Sequence, residues 1–258
     1  MHRFSHAIVR LPGGNFTDGL TSSGLGTPDL TKTRDQHTRY CETLANCGLS
    51  LRVEAEDLRF PDSTFVEDTA ILTPECAVVT CPGAASRRGE VDAICPVLLE
   101  YFNEVHAIQP PGTLDGGDVC DADGHYFIGV SDRTNENGAR QLADILAGYD
   151  HSANLIDITL KPGLLHLKSG LAWLGDKHLA VIPALASEPH LSRYEFVLVP
   201  EGEEYAANCL LVNDQILVAK GYPKFTRAIE VLGHPVLKLD MSEFRKMDGG
   251  LSCLSLRF

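Results

Sequence analysis

The strongest constraint on the fold is a unit of hairpin, helix and strand that recurs along the chain. Pairs of short strands flank turn residues at regular intervals, and the Asp-Gly turn at 123–124 gives the clearest hairpin signal. The hairpins open near residues 68, 118, 168, 208 and 250, a period of about 40 to 50 residues. Repetition at this period is typical of modules arranged around a centre, although these copies share rhythm and hardly any sequence identity.

The segments outside the hairpins complete the predicted module. The expected helices run from Thr27-Pro28-Asp29 to Cys47 and over about 88–103, 135–148 and 223–232. Extended segments are expected at 6–10, 106–110 and 235–239. We therefore predict an α/β fold of five ββαβ modules in a ring with pseudo-five-fold symmetry, closed by pairing of the terminal segments. Residues 1–258 are expected to form a single domain.

The charge balance narrows the class of partner. The chain has 22 basic and 35 acidic residues, a formal charge of −13, which disfavours a nucleic acid and favours a cationic small molecule. No segment reaches the roughly 20 apolar residues of a membrane span, and the first residues lack a signal-peptide core. We expect a cytoplasmic protein without a membrane partner, and leave assembly into a homodimer open.

The eight cysteines show no metal-binding pattern. None belongs to a Cys-x-x-Cys pair, and most lie in apolar runs, as Cys76 and Cys209 do. A structural zinc site is therefore not expected, and most of these thiols are predicted to be reduced core residues.

Two glycine-rich segments lie near the two ends of the chain, and each has two possible interpretations. Residues 11–26 contain five glycines, which predicts a long loop that is either a lid or disordered. At the other end, Gly249-Gly250 precedes Cys253, and the alternating Leu254-Ser255-Leu256 predicts a short buried strand. This position suits a reactive thiol and a core cysteine equally well.

A ring of modules would bring the starts of the hairpins to one central cavity. Taken singly, each polar residue there has a structural explanation: Asp118 caps a turn, Asn208 satisfies backbone groups, and His166 is a hydrogen-bonded core histidine. Their joint convergence favours a functional site. The converging residues are Glu67, Asp68, Asp115, Asp118, His166, Asn208 and Cys253.

A thiol, an imidazole and a carboxylate are the components of nucleophilic catalysis. A cysteine needs a nearby positive charge to ionise at neutral pH, whereas the carboxylates of this cavity would raise the pKa of the thiol. A guanidinium substrate would supply the missing charge, because it stays protonated and matches flanking carboxylates.

Seven segments of the chain carry a resemblance to a known family. They are 60–68, 86–90, 114–118, 133–141, 164–172, 205–209 and 245–258. In this order they resemble dimethylarginine dimethylaminohydrolase, of the guanidine-modifying superfamily with a five-bladed α/β-propeller (pentein) fold. The similarity extends from residue 18 to the last residue.

The resemblance implies a role for each matching residue. Cys253 would be the nucleophile, His166 the general acid and then base, and Asp115, a glutamate in many bacterial members, the third catalytic residue. The residues implied in substrate binding are Asp68 for the guanidinium with Glu67 beside it, Asp62 and the carbonyl of Leu20 for the α-amino group, Arg87 and Arg133 for the carboxylate, and the carbonyl of Met247. Leu20 makes the loop 11–26 a lid.

The implied reaction is hydrolysis of an Nω-methylated arginine to citrulline and an alkylamine through a covalent cysteine adduct, without a metal or organic cofactor. Arginine deiminase is an alternative, but that family usually has His-x-Asp where this chain has Lys168 two residues after His166. A carboxylate facing N-methyl groups would be buried without a partner, at about 1–3 kcal/mol. Amidinotransferases are a further alternative, which the close match of the motifs disfavours. A non-catalytic ribosome anti-association factor also has this fold, but the full set of Cys253, His166, Asp115 and Asp68 argues against a pure binding module.

Overall fold

Fifteen short strands form five separate three-stranded sheets in the computed structural model, which describes residues 3–258. The strands of the first half are β1 (His6–Arg10), β2 (Ser50–Glu54), β3 (Ala70–Leu72), β4 (Ala77–Val79), β5 (Val105–Ala107), β6 (Val119–Asp121) and β7 (His125–Val130). Those of the second half are β8 (Ser152–Asp157), β9 (Leu171–Gly175), β10 (His178–Val181), β11 (Glu195–Leu198), β12 (Leu210–Val212), β13 (Gln215–Ala219), β14 (Val236–Leu239) and β15 (Leu256–Arg257).

Each sheet has the same mixed pairing. The middle strand is antiparallel to one neighbour and parallel to the other, as in β3-β4-β5 and β6-β7-β8. In four of the sheets the antiparallel neighbour is the other strand of the same hairpin. A parallel neighbour requires a crossover connection. The helices of the described chain are α1 (Leu30–Asn46), α2 (Val91–Leu98), α3 (Glu136–Ala147), α4 (Pro223–Glu230) and the single turn α5 (Ser242–Arg245). Four modules cross through α1 to α4, which confirms the predicted five-bladed α/β architecture.

The third module differs from the others. Between β10 and β11 the chain forms two 3₁₀ turns, Pro183–Leu185 and Pro189–Leu191, in place of an α-helix. Each turn begins with a proline, which fits the first position of a helix but limits its extension upstream.

The first and last strands of the chain close the ring. β1 pairs in antiparallel register with β15, with Ile8 opposite Leu256, and in parallel register with β2. The closure predicted from the sequence is therefore present. The last strand starts later than predicted, because Ser252–Leu254 forms a 3₁₀ turn and only Leu256–Arg257 belongs to the sheet.

A 3₁₀ turn lies just before the first strand of every hairpin. These turns are Val66–Thr69, Gly116–Asp118, Leu167–Ser169, Glu204–Ala207 and Ser252–Leu254. Consecutive turns are in contact, and hydrogen bonds from Ser252 to Asn208 and Glu67 join the last turn to the fourth and the first. The five turns therefore surround one centre, and the polar residues at the hairpin openings meet there.

The apolar cores lie between the sheets and their helices. Tyr40, Phe127, Phe225 and Phe244 are among the fully buried side chains. No helix within residues 3–258 has the length and apolar composition needed to cross a membrane.

Candidate active site

A cavity of about 200 Å³ lies at the centre of the ring. Nine of the ten site residues predicted from the sequence line it: Leu20, Asp62, Asp68, Arg87, Asp115, Arg133, His166, Met247 and Cys253. Glu67 is the exception. The cavity is also lined by side chains that sequence reasoning did not single out, namely Thr21, Ser22, Phe65, Leu165 and Asp248. Thr21, Leu165 and Asp248 directly flank predicted site residues, and Ser22 and Phe65 lie two residues from one. That proximity in sequence was the available signal.

His166 is bonded to Asp115 through one ring nitrogen. Its Nε2 lies 3.2 Å from Asp115 Oδ2, and the other carboxylate oxygen of Asp115 accepts from the backbone N–H of Gly83 at 2.8 Å. Burial by itself lowers the pKa of His166, but the carboxylates of Asp68, Asp118 and Asp115 raise it to about 9. The imidazole is therefore protonated at neutral pH and can act as an acid.

Asp68 is a buried carboxylate held in its ionised form. One oxygen accepts from the backbone N–H of Gly117 at 2.8 Å, and the other pairs with Arg87 at 2.5 Å. Burial acts to raise the pKa of Asp68, yet the positive charges of His166 and Arg87 outweigh it and lower the pKa to about 2. This side chain can pair with a cationic substrate.

Asp118 is fully buried but does not line the cavity. Its Oδ2 accepts from the hydroxyls of Ser131 and Thr134, both at 2.7 Å, and its Oδ1 accepts from the backbone N–H of Leu167 at 2.9 Å. Burial raises the pKa of this carboxyl. The predicted capping by Asp118 of its own turn is not found. Asp118 instead fixes the residue that follows His166, and its charge contributes to the raised pKa of that imidazole.

Asp68, Asp115 and His166 also form the sole group in residues 3–258 whose possible metal-ligand atoms cluster, all within 4.8 Å of one another. The protonated imidazole and the bonds to Arg87 and Gly83 already occupy these atoms. A metal ion would have to displace those partners.

Cys253 lies in the turn Ser252–Leu254 and is partly exposed to the cavity. The backbone N–H of Gly250 points to its Sγ at 3.4 Å. Burial and then the charges of Glu67 and Asp68 raise the pKa of the thiol to about 12. The thiol is therefore protonated at neutral pH, as the acidic lining predicted.

The glycine-rich loop is folded over the cavity. Asp62 accepts from the backbone N–H of Leu20 at 3.0 Å, and Asp248 accepts from the backbone N–H and hydroxyl of Ser22. The hydroxyls of Thr21 and Ser23 both donate to the carbonyl of Lys246 at 2.7 Å. Of the two alternatives for residues 11–26, the ordered lid is the one found.

The two cavity arginines are in different states. Arg87 is buried and bonded to Asp68, Glu90 and the carbonyl of Phe65. Arg133 is partly exposed, and its guanidinium forms no ion pair with any residue from 3 to 258. Arg133 is consequently the better placed of the two to receive a substrate carboxylate.

The Gly-Gly pairs serve close packing. A Cβ at Gly117 would lie 2.6 Å from His166 Nδ1, and a Cβ at Gly249 would lie 2.2 Å from the ring of Phe65. Neither Gly249 nor Gly250 has a positive φ, and the left-handed residue of this segment is Asp248, with φ of 58°. The requirement for glycine at position 249 is therefore steric.

Glu67 and Lys168 form an ion pair beneath the cavity. Lys168 Nζ lies 2.6 Å from Glu67 Oε1, and Arg257 approaches the same oxygen at 3.3 Å. Sequence reasoning placed Glu67 beside Asp68 as a substrate contact and did not pair it with Lys168. Adjacent residues of a 3₁₀ turn project in different directions, so Asp68 faces the cavity while Glu67 faces away.

Fold and cavity together define a class of protein: a five-bladed α/β-propeller that presents a cysteine, a histidine and buried carboxylates to a small molecule. The chain is 42% identical to N(G),N(G)-dimethylarginine dimethylaminohydrolase of Pseudomonas aeruginosa over 256 residues, covering 99% of this chain and all of that one. The chain belongs to the dimethylarginine dimethylaminohydrolase family. No protein-family model matches it.

Solved structures agree in fold. A mutant of the Pseudomonas aeruginosa enzyme complexed with citrulline has a TM-score of 0.96 and 41% sequence identity, with full coverage of both chains. The N-terminal domain of ArgZ, an arginine dihydrolase from cyanobacteria, has a TM-score of 0.89 over 99% of this chain and 97% of that domain. Its sequence identity of 18% shows a shared fold alone. The predicted family and the pentein fold are both confirmed.

Proposed function

We propose that the chain hydrolyses Nω-methylated arginine to citrulline and an alkylamine, with Cys253 as the nucleophile. One observation carries the assignment of residues: the cavity combines a protonated histidine, an ionised aspartate and a neutral thiol in acidic surroundings. Such a cavity is incomplete without a cation, and a methylated guanidinium is a planar cation with an attackable carbon. The citrulline-bound relative of 41% identity supports the product.

The first half of the proposed reaction forms a covalent adduct. Asp68 pairs with the guanidinium, whose charge lowers the pKa of the Cys253 thiol so that it loses its proton to solvent. The thiolate attacks the guanidinium carbon and forms a C–S bond. His166, protonated at neutral pH, gives a proton to the alkylated nitrogen, and the C–N bond breaks to release the amine. Asp115 keeps one ring N–H engaged and so orients the other nitrogen.

The second half returns the enzyme to its starting state. Neutral His166 takes a proton from water, and the hydroxide adds to the carbon of the thiouronium adduct. The C–S bond then breaks, the hydroxyl proton of the intermediate passes to the departing Cys253 sulfur, and citrulline and the neutral thiol are formed. His166 is again protonated, as its raised pKa of about 9 favours.

The rest of the substrate has partners around the lid. We assign the α-amino group to Asp62 and the carbonyls of Leu20 and Met247, and the carboxylate to Arg133 and Arg87, which both line the cavity. Glu67 stays outside this set, because its carboxylate is bonded to Lys168, Arg257 and Ser252.

The alkylated substrate is favoured over arginine by the position of Lys168. This side chain pairs with Glu67 and does not line the active-site cavity, so no second carboxylate is added at the position two residues after His166. Unsubstituted guanidinium nitrogens would lack that partner, while methyl groups need none.

The decisive assay compares substrates. Citrulline is expected to form from asymmetric dimethylarginine with a kcat/KM at least about 100-fold above that for arginine. Monomethylarginine and symmetric dimethylarginine complete the series, and Cys253→Ser serves as the control, expected to fold and to release no citrulline. Equal turnover of arginine, or turnover by the serine variant, would contradict the substrate class or the nucleophile respectively.

Organisation and location belong to the same proposal. We infer a single catalytic domain over residues 1–258, cytoplasmic, and active on a small molecule without nucleic-acid or membrane partners. All eight cysteines are free thiols, which suits a reducing compartment. A homodimer is the assembly to test first, by light scattering at several concentrations.

A further inference from the structure

Ser252, the residue before the cavity cysteine, has every polar group fixed. Its backbone N–H donates to Asn208 Oδ1 at 2.9 Å, and its carbonyl accepts from Arg257 Nη1 at 3.2 Å. Its hydroxyl donates to Glu67 Oε2 at 2.7 Å and accepts from Asn208 Nδ2 at 3.0 Å. A buried residue held by four hydrogen bonds has little rotational freedom, so the turn that carries Cys253 is anchored here.

The partners of Ser252 are themselves held by other modules. Glu67 is paired with Lys168, and Asn208 also donates to the carbonyl of Lys168 at 3.1 Å. Glu67, Asn208 and Ser252 are all buried, so these bonds are shielded from water. The network joins the hairpin openings of four modules in one connected set.

This network forms the floor of the active-site cavity. A second cavity, of about 360 Å³, lies on its other side. The first, third and last modules place nearby residues in different cavities. Asp68, His166 and Cys253 line the active-site cavity, whereas Glu67, Lys168 and Ser252 line the second one. The floor is therefore thin next to the thiol, because the adjacent residues Ser252 and Cys253 line opposite cavities.

Gly250 makes room for this arrangement. A Cβ at this position would lie 2.4 Å from Asn208 Oδ1 and 2.6 Å from its Cγ. Since φ at Gly250 is not positive, the close approach of the Asn208 amide is the reason for the glycine. The packing and the hydrogen bonds thus converge on the same amide group.

We propose that Asn208 and Ser252 are positioning residues that hold the Cys253 thiol in line with the substrate carbon without touching the substrate. This inference rests on Cys253 being the nucleophile of the proposed function. A misplacement of about 1 Å at a reacting group lowers the rate by about 100-fold. The loss falls on kcat, because Asp62, Asp68 and Arg133, which would bind the substrate, lie outside the network.

The test compares two asparagines whose side chains each make three hydrogen bonds to distant parts of the chain. Asn208→Ala is expected to lower kcat by about 100-fold with KM within about threefold of the parent. The matched control is Asn213→Ala: Asn213 also makes three hydrogen bonds, to the backbone N–H and carbonyl of Phe4 and the carbonyl of Cys47, and does not contact the turn of Cys253. It is expected to lose thermal stability while keeping kcat within about threefold.

Ser252→Ala provides a second, smaller change that removes the hydroxyl bonds to Glu67 and Asn208. Its expected loss of kcat is about 10-fold, again at constant KM. A kcat within threefold of the parent in both network variants, or an equal loss in Asn213→Ala, overturns the positioning role. If Cys253→Ser retains activity instead, the proposed nucleophile fails, which is a separate result.

Discussion

At the scale of single residues, the surroundings of Cys253 keep its thiol protonated. After burial, Glu67 and Asp68 are the largest influences that raise the pKa of Cys253, and Lys168 acts in the opposite direction. Glu67 lies on the floor and pairs with Lys168, which fixes the position of its carboxylate relative to the thiol. The result is a nucleophile that is unreactive towards neutral electrophiles until a cation enters.

Glu67→Gln tests this electrostatic control. The substitution replaces the carboxylate by a neutral amide of similar shape. The pKa of Cys253 should therefore fall below about 12, and more thiolate should exist at a given pH. Each unit of decrease raises the thiolate fraction, and so the iodoacetamide alkylation rate at pH 8, by about 10-fold. Peptide mass spectrometry locates the labelled cysteine.

The matched control is Glu136→Gln, which breaks an exposed ion pair with Arg140 and leaves the cavity untouched. Its alkylation rate should equal that of the parent. A slower or unchanged rate in Glu67→Gln would show that the floor carboxylate does not set the reactivity of the thiol.

At the scale of elements, the lid is tied to the segment that leads into the cysteine turn. Asp248 accepts hydrogen bonds from both the backbone N–H and the hydroxyl of Ser22. It adopts a left-handed conformation with φ of 58°. Glycine accepts that conformation without strain, so Asp248→Gly removes the two hydrogen bonds without a backbone penalty at this residue.

We expect Asp248→Gly to open the lid. Amide hydrogen exchange over residues 20–25 should become at least about 10-fold faster, and KM should rise by a similar factor because Leu20 loses its position. Asp150→Gly is the control, since Asp150 has φ of 62° and lies outside the cavity lining. Unchanged exchange in the lid of Asp248→Gly would mean that the loop is held by Asp62 and the carbonyl of Lys246 alone.

The elements that sequence could predict are those with local signals. The side chain of Asp29 caps α1 by accepting from Lys32, and the Asp-Gly hairpin turn has positive φ at both Asp123 and Gly124. The 3₁₀ turns were not predicted, because the apolar pattern continues through them into the strands. For the same reason Leu254 was assigned to a strand, although its backbone belongs to a turn that is bonded to other modules.

In the candidate site, too, some features could be predicted from the sequence and others could not. The convergence of Asp115, His166 and Cys253 followed from the rhythm of the modules, since the hairpin openings of a ring must meet. The ion pair of Glu67 with Lys168 depends on which way two side chains leave their turns, which lie about 100 residues apart, and no local pattern encodes that.

At the scale of the whole molecule, the ring is completed by three residues at the end of the chain. The carbonyl of Phe258 accepts from the backbone N–H of both Ser5 and His6 at 2.8 Å, and its own N–H donates to His6. Its ring packs against His6 and Tyr101, while Leu256 is buried between modules. Arg257 reaches the Glu67 carboxylate at the floor of the cavity. Fold closure and active-site geometry are therefore coupled.

Removal of Leu256–Phe258 should reveal that coupling. We expect a loss of about 3–5 kcal/mol in the free energy of unfolding, from the lost burial of Leu256 and Phe258, and a kcat reduced by at least about 10-fold. The control is a circular permutant opened at the exposed Gly163 with a flexible linker joining Phe258 to Arg3, which keeps every contact of the closing strand. Urea unfolding and citrulline release would be measured on both. Because the permutant retains β15, its free energy of unfolding should stay within about 1 kcal/mol of the parent and its kcat within about threefold. If the truncated chain matched the permutant in both quantities, the four internal modules alone would be sufficient to hold the site.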